Sequence, residues 1–330
     1  MKKIFALLLS AALLVTLLAA CGGGNTTDTD NDTQEPAADA STTQVEEQEP
    51  DTGDASKDDP LNQDEIGEKE LLVVSFGTSY NDSRRETIGA IEKAMQTAFP
   101  DYSVRRAFTS QIIIDHVKDR DGVTIDNVEQ ALERAVNNGV KTLVVQPTHL
   151  MNGLEYEELT DELAKYSDSF EKIAIGDPLL TSDADFEAVM TAITDATKDA
   201  ADGKTAICFM GHGTTADSNS VYSKMQTLLT DKGFNDYYVG TVEATPSLDD
   251  VLAAVQKGNY EKVILRPLMI VAGDHANNDM AGDEDDSWKS TFEKAGYTVD
   301  CQVEGLGQLE AIQQLFVEHA KAAVASAEAE

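Results

Sequence analysis

Short apolar runs of strand length, separated by segments of helical spacing, constrain this chain most. Such runs occur at 71–76, 102–108, 142–146 and 173–175, and again at 205–210, 237–242, 263–266 and 297–302. Between them apolar residues recur with a helical period, as at Ile88, Ile91, Met95 and Phe99, or Val128, Leu132, Ala135 and Val136. Strands alternating with helices require right-handed crossovers and therefore parallel sheets. The expected fold class is α/β.

The series also reads as two similar halves. Leu72–Thr78 (LVVSFGT) parallels Ile207–Thr214 (ICFMGHGT), and Val144–Pro147 (VVQP) parallels Ile264–Pro267 (ILRP). Identity is low but the order of features is kept. A duplicated unit is expected, with an N-terminal α/β domain at 70–202 and a C-terminal one at 203–330. In sheets of this kind ligands gather at the carboxyl ends of strands, so residues just after strands matter most.

The first residues belong to no such pattern. Lys2 and Lys3 precede an apolar run that ends in Leu18-Ala19-Ala20-Cys21, followed by three glycines. A run this short, ending in small residues, reads as an export signal rather than a membrane-spanning helix. Its ending resembles the bacterial lipobox, which makes residues 1–21 a lipoprotein signal peptide and Cys21 the expected lipidation site. Residues 22–69 are rich in Thr, Asp, Glu and Gln, with Lys57 and Lys69 their only bases. With little to bury they are expected to form a disordered acidic tether. The protein is thus expected outside the cytoplasm, lipid-anchored to the cell membrane.

Charge narrows the partners. The chain carries 25 Lys and Arg against 60 Asp and Glu, a net charge of -35. Such an excess repels nucleic acid and anionic bilayer surfaces, so membrane contact is expected through the anchor alone. Three cysteines are too few for a disulfide framework or a Cys-rich zinc module. Cys208 and Cys301 fall in expected strands as buried thiols.

Of the five histidines, His116 and His319 lie on expected helices as surface or packing residues. The other three follow strands. His212 lies in Gly-His-Gly-Thr after the 205–210 run, and His275 in Ala-Gly-Asp-His-Ala-Asn-Asn-Asp after 263–266. Glu243 follows the run between them. Two imidazoles and a carboxylate at three strand ends suit a divalent first-row ion, and three protein ligands leave positions open for substrate. The segment Gly211–Ala216 also fits G-x-G-x-x-A, as in a dinucleotide fold. However, Glu243 lies farther than the usual ~20 residues beyond it, and the polar stretch 214–220 delays the helix that would hold a pyrophosphate. No nucleotide cofactor is therefore expected. The acidic stretch Asp274, Asp279 and Asp283–Asp286 lacks calcium-loop spacing and reads as a solvated loop.

The segments Ser75–Tyr80 (SFGTSY), Gln146–Gly153 (QPTHLMNG), Met210–Thr214 (MGHGT), Gly240–Glu243 (GTVE) and Arg266–Met280 (RPLMIVAGDHANNDM) together resemble the anaerobic, class II (CbiK-like) sirohydrochlorin cobaltochelatases, a family related in fold to ferrochelatase. The resemblance implies two chelatase-like domains, each a four-stranded parallel sheet flanked by helices, with a tetrapyrrole cleft between them. It implies a metal site of His212, Glu243 and His275, with His212 also accepting pyrrole protons. Such a chelatase, a lyase, takes the divalent metal as substrate: Co2+ first, with Fe2+ or Ni2+ as alternatives. By analogy from the other half, Tyr80, His149 and Glu155 are expected to contact the tetrapyrrole, sirohydrochlorin or a haem-like ring. An export signal raises a second reading, an extracytoplasmic haem-, tetrapyrrole- or metal-binding lipoprotein that serves an uptake system. A homo-oligomer or an importer is the protein partner such readings bring.

Overall fold

The computed structural model describes residues 52–329. The expected signal peptide and Cys21 lie outside these residues. Eight strands are present: β1 (Lys69–Ser75), β2 (Ser103–Phe108), β3 (Thr142–Pro147), β4 (Lys172–Ile175), β5 (Thr205–Gly211), β6 (Tyr237–Thr241), β7 (Lys262–Pro267) and β8 (Thr298–Cys301). Each lies within two residues of its expected position. They form two four-stranded sheets with orders β2-β1-β3-β4 and β6-β5-β7-β8. Every pairing is parallel. The two halves therefore repeat one topology, and the order reverses beside β1 in one sheet and β5 in the other.

The central strands read as unbroken apolar runs because both faces of each sheet are covered. Leu71 and Val73 enter one core cluster while Leu72 and Val74 enter another. In β5, Ile207 and Phe209 join the cluster of Leu71 and Val73, whereas Ala206, Cys208 and Met210 face a third. One hydrophobic core thus runs between the halves. Its filling comes from the helices Asp183–Thr197 and Glu310–Ala329, through Phe186, Val189, Ile193, Ile312, Phe316 and Ala320.

The last helix, Glu310–Ala329, packs on β3 and β4 of the first sheet although it follows the second in sequence. Lys172 Nζ donates to the carbonyl of Ala327 at 2.8 Å. His319 places its two ring nitrogens 3.0 Å from the Asp177 carbonyl and 3.1 Å from Asp185 Oδ1. Asp185 also closes the capping box of its own helix with Ser182. Residues 203–330 therefore do not pack as a separate body, because their final helix covers apolar surface of the first sheet.

The expectation of a tether as far as residue 69 is corrected for residues 52–68. Leu61 and Ile66 are buried, and Asp58 is enclosed beneath the first sheet's helices. Asp58 Oδ2 accepts from Arg84 Nε at 2.6 Å and from Arg106 Nη1 at 2.7 Å, while Arg106 also holds Glu92 through two 2.7 Å bonds. The physical reasons are apolar anchoring, with Leu61 and Ile66 in the core, and charge: two buried guanidinium groups need two carboxylates, and Glu92 supplies only one. Composition alone hides this, since Asp58 looks like its solvated neighbours.

Burial alone would raise the Asp58 carboxyl, but hydrogen bonds and charge from Arg106 and Arg84 outweigh it and hold its pKa below the ordinary value. A depressed carboxyl contributes stability above its unfolded pKa and loses it as pH falls. Replacing Asp58 by Asn should cost about 3–5 kcal/mol near neutral pH, because it leaves buried Arg charge uncompensated. Urea unfolding should show that difference shrinking below about pH 4; a pH-independent difference would contradict it.

Candidate metal centre

Strand order builds the site. In the sequence β6-β5-β7 the three strands are neighbours, and being parallel they end on the same edge. His212 follows β5 directly, Glu243 stands two residues beyond β6, and His275 stands in the loop after β7. One ligand atom from each lies within 4.8 Å of the other two. Bonds of ~2.0–2.2 Å place ligand atoms up to about 4.4 Å apart across an ion. Rotation of the exposed Glu243 side chain narrows that remainder. Among the described residues this is the one group of three such side chains that converges.

The backbone fixes the two exposed members. Glu243 N donates to the His212 carbonyl at 2.9 Å, locking the loop after β6 to the loop after β5. Gly213 has φ +91°, and a Cβ there would lie 2.9 Å from Ala244 N and Cβ, so only glycine lets these loops meet. Gly211 is equally constrained, since a Cβ would strike the Tyr222 ring at 2.1 Å. The Tyr222 hydroxyl in turn accepts from Gly213 N at 3.3 Å.

Both imidazoles have a defined tautomer. His212 Nδ1 lies 2.8 Å from the Gly213 carbonyl, which can only accept, so Nδ1 carries the hydrogen. His275 Nδ1 lies 2.8 Å from Asp279 Oδ2, which as a carboxylate imposes the same choice. In its neutral form each ring therefore leaves its lone pair on Nε2. The rings stand 4.6 Å apart at 82° to one another. A carboxylate behind a histidine fixes the orientation of its ring.

Asp279 was not legible as part of the site, since the sequence groups it with a solvated acidic stretch. The pertinent signal is its position four residues after His275, on a backbone that turns into a single π-helical turn at Ala276–Met280. π turns of this kind frequently mark functional sites. Asp283 and Asp285 are exposed and pair with Lys289 and Lys294.

Tyr80, His149 and Glu155 stand outside the ligand group. Tyr80 is half-buried just before the helix Asn81–Glu86; burial first, and then the Asp274 carboxylate, raise its hydroxyl pKa. His149 follows β3, and neither ring nitrogen has a hydrogen-bond partner. Burial pushes its pKa down to about 4, against the opposing pull of Glu155. Glu155 is exposed on the first turn of the helix Leu154–Ala164 and also acts on buried Tyr222. Residues of the two halves meet here: a Cβ on Gly153 would lie 3.5 Å from Ser218 Oγ and 3.7 Å from Glu155 Oε2. A second meeting point joins Ser83 Oγ to Ala272 N at 3.0 Å. Beside it a crevice of roughly 230 Å3 is lined by Tyr80, Ser83, Ala272 and Asn277, among others. A wider groove of roughly 640 Å3 near Leu309 and Glu310 lies among helices and holds no such ligand group. Cys208 is buried in β5, where burial raises its thiol pKa, and Cys301 ends β8 half-buried.

The same architecture occurs in known proteins. A family model described as cobalt chelatase (CbiK) matches residues 69–325. The sirohydrochlorin cobaltochelatase of Salmonella typhimurium is 38% identical over 251 residues, covering 76% of this chain and 94% of its own. The sirohydrochlorin cobaltochelatase CbiKC of Nitratidesulfovibrio vulgaris is 30% identical over 260 residues, covering 78% and 91%. Among solved structures, SirB from Bacillus subtilis with Fe3+ superposes with a TM-score of 0.57 at 14% identity, over 80% of this chain and 98% of its own. That likeness concerns the fold. Match length and identity together place the chain in the CbiK family of cobalt chelatases.

Proposed function

We propose that this protein is a sirohydrochlorin cobaltochelatase: it inserts Co2+ into the macrocycle from an ion held by His212, Glu243 and His275. The observation that carries the reading is the convergence of those three side chains within 4.8 Å on one edge of the second sheet. Family membership favours turnover over the uptake-carrier reading. Two imidazoles and a carboxylate suit Co2+, and Fe2+ or Ni2+ fit the same donors.

Insertion must remove two pyrrole protons and transfer the ion from protein donors to ring nitrogens. With Nδ1 of His212 committed to the Gly213 carbonyl, Nε2 is its only lone pair. That nitrogen can hold the ion or take a proton, but not both at once. The proposed step is therefore an exchange. As the ion leaves for the ring, Nε2 of His212 is vacated and accepts one pyrrole proton. Glu243, vacated in the same movement, accepts the second. Both residues are exposed enough to pass protons to water afterwards. Holding ion and ring together replaces a chance encounter by local transfer. Tyr80, His149 and Glu155, on the first half near the points where the halves meet, are proposed to contact the ring.

Export and attachment at Cys21 form a separate proposal, carried by the lipobox-like ending alone. Membrane fractionation tests it: a Cys21→Ser chain should leave the membrane fraction, and one that stays there contradicts the anchor.

Anaerobic incubation with sirohydrochlorin and Co2+, followed by absorbance, tests the activity. Wild type should convert the spectrum to that of the cobalt complex. His212→Ala should slow conversion by about 10²-fold or more, having lost both an ion ligand and a proton acceptor. Conversion no faster than the protein-free mixture would overturn the reading.

A further inference from the structure

The first half repeats the backbone of the metal-binding half without its ligands. In the second half, Val242 N donates to the Gly211 carbonyl at 3.0 Å and Glu243 N to the His212 carbonyl at 2.9 Å. In the first, Thr109 N donates to the Ser75 carbonyl at 2.9 Å and Ser110 N to the Phe76 carbonyl at 3.2 Å. Leu268 N bonds Met210 O at 2.7 Å, as Thr148 N bonds Val74 O at 2.8 Å. The glycines that follow match as well, with φ +103° at Gly77 and +91° at Gly213. Position by position, Phe76 therefore stands where His212 stands, and Ser110 where Glu243 stands. Neither offers a metal ligand.

What the first half offers instead is apolar surface. The exposed large hydrophobic side chains among the described residues are Phe76 (49%), Ile112 (82%), Leu154 (54%) and Val136 (40%). Phe76 directly follows β1, while Ile112 and Leu154 stand on the first turns of the helices Gln111–Asp121 and Leu154–Ala164 that follow β2 and β3, beyond the carboxyl ends of three adjacent strands. Val136 alone lies elsewhere. Apolar side chains gathered on the ligand-binding edge of a sheet, rather than scattered, mark a contact surface.

The loop after Phe76 also meets the loop that carries His275. A Cβ on Gly273 would lie 3.1 Å from Thr78 Oγ1. An object held over His212, Glu243 and His275 is thus bordered by the Phe76 loop.

We propose that Phe76 is the seat of the macrocycle: an aromatic face, at the position equivalent to His212, against which the tetrapyrrole packs while the second half presents the ion. The inference rests on the tetrapyrrole reading above. A flat conjugated ring with charged substituents only at its rim suits an apolar edge, and an aromatic side chain adds stacking to the area it buries. The duplication thereby becomes a division of labour, one half holding the ring and the other the metal. Phe76 is a positioning residue, and it touches no metal.

The test measures binding separately for each substrate. Sirohydrochlorin affinity is read from its absorbance and fluorescence without metal, and Co2+ affinity by calorimetry without tetrapyrrole. Phe76→Ala should weaken sirohydrochlorin binding about tenfold and leave Co2+ binding within twofold of wild type. Phe76→Tyr, which keeps the ring, should restore sirohydrochlorin binding. Unchanged sirohydrochlorin binding in Phe76→Ala would overturn the proposal while leaving the chelatase reading intact, as would equal weakening of both substrates. Tighter sirohydrochlorin binding by Phe76→Ala than by wild type would overturn it too. If wild type binds no sirohydrochlorin, the chelatase reading fails first and this proposal with it.

Discussion

Three adjacent parallel strands that end on one edge hold this site together. Because β5 lies between β6 and β7, the residues that follow these strands are neighbours although they are far apart in the chain. No local motif achieves that juxtaposition; the sheet does. Hydrogen bonds between the strand-end loops then fix the backbone at His212 and Glu243. Gly213 is required because the two loops approach too closely for a side chain, and Gly211 because a Cβ there would strike the Tyr222 ring. The rigidity of the scaffold lies in buried strands, while the side chains of His212 and Glu243 stay exposed.

The second organising fact is repetition with divergence. Both sheets use one strand order, and both central strands run into a glycine of positive φ at the same place. On that shared backbone one half has His and Glu and the other Phe and Ser. The halves are nonetheless not independent. A common core and a last helix that returns to the first sheet tie them into one packed unit, so that the edge bearing Phe76 and the edge bearing His212 keep a fixed relation.

Much of this was legible in the sequence because it rests on periodicity. Runs such as Leu71–Val74 and Ile207–Met210 can be buried on both faces only in a covered parallel sheet, and the strand positions followed from them. The convergence of His212, Glu243 and His275 was legible because each is a chemically distinctive residue in a segment that follows such a run. What stayed hidden depends on pairing rather than period. Asp58 resembles every other acid in its neighbourhood until Arg84 and Arg106 are seen buried beside it. Asp279 sits in an acidic stretch, and its role appears only when the turn after His275 brings its carboxylate to Nδ1. Phe76 reads as the end of a strand, and its exposure is a property of the assembled edge.

The most direct test of the central claim is X-ray absorption at the cobalt edge of the protein loaded with one equivalent of Co2+ in the absence of tetrapyrrole. The account predicts a single bound ion whose outer-shell scattering shows two imidazole rings, with oxygen donors completing the shell. It also predicts that His275→Ala removes one of those rings. An all-oxygen environment without imidazole scattering, or a spectrum unaffected by His275→Ala, would contradict it.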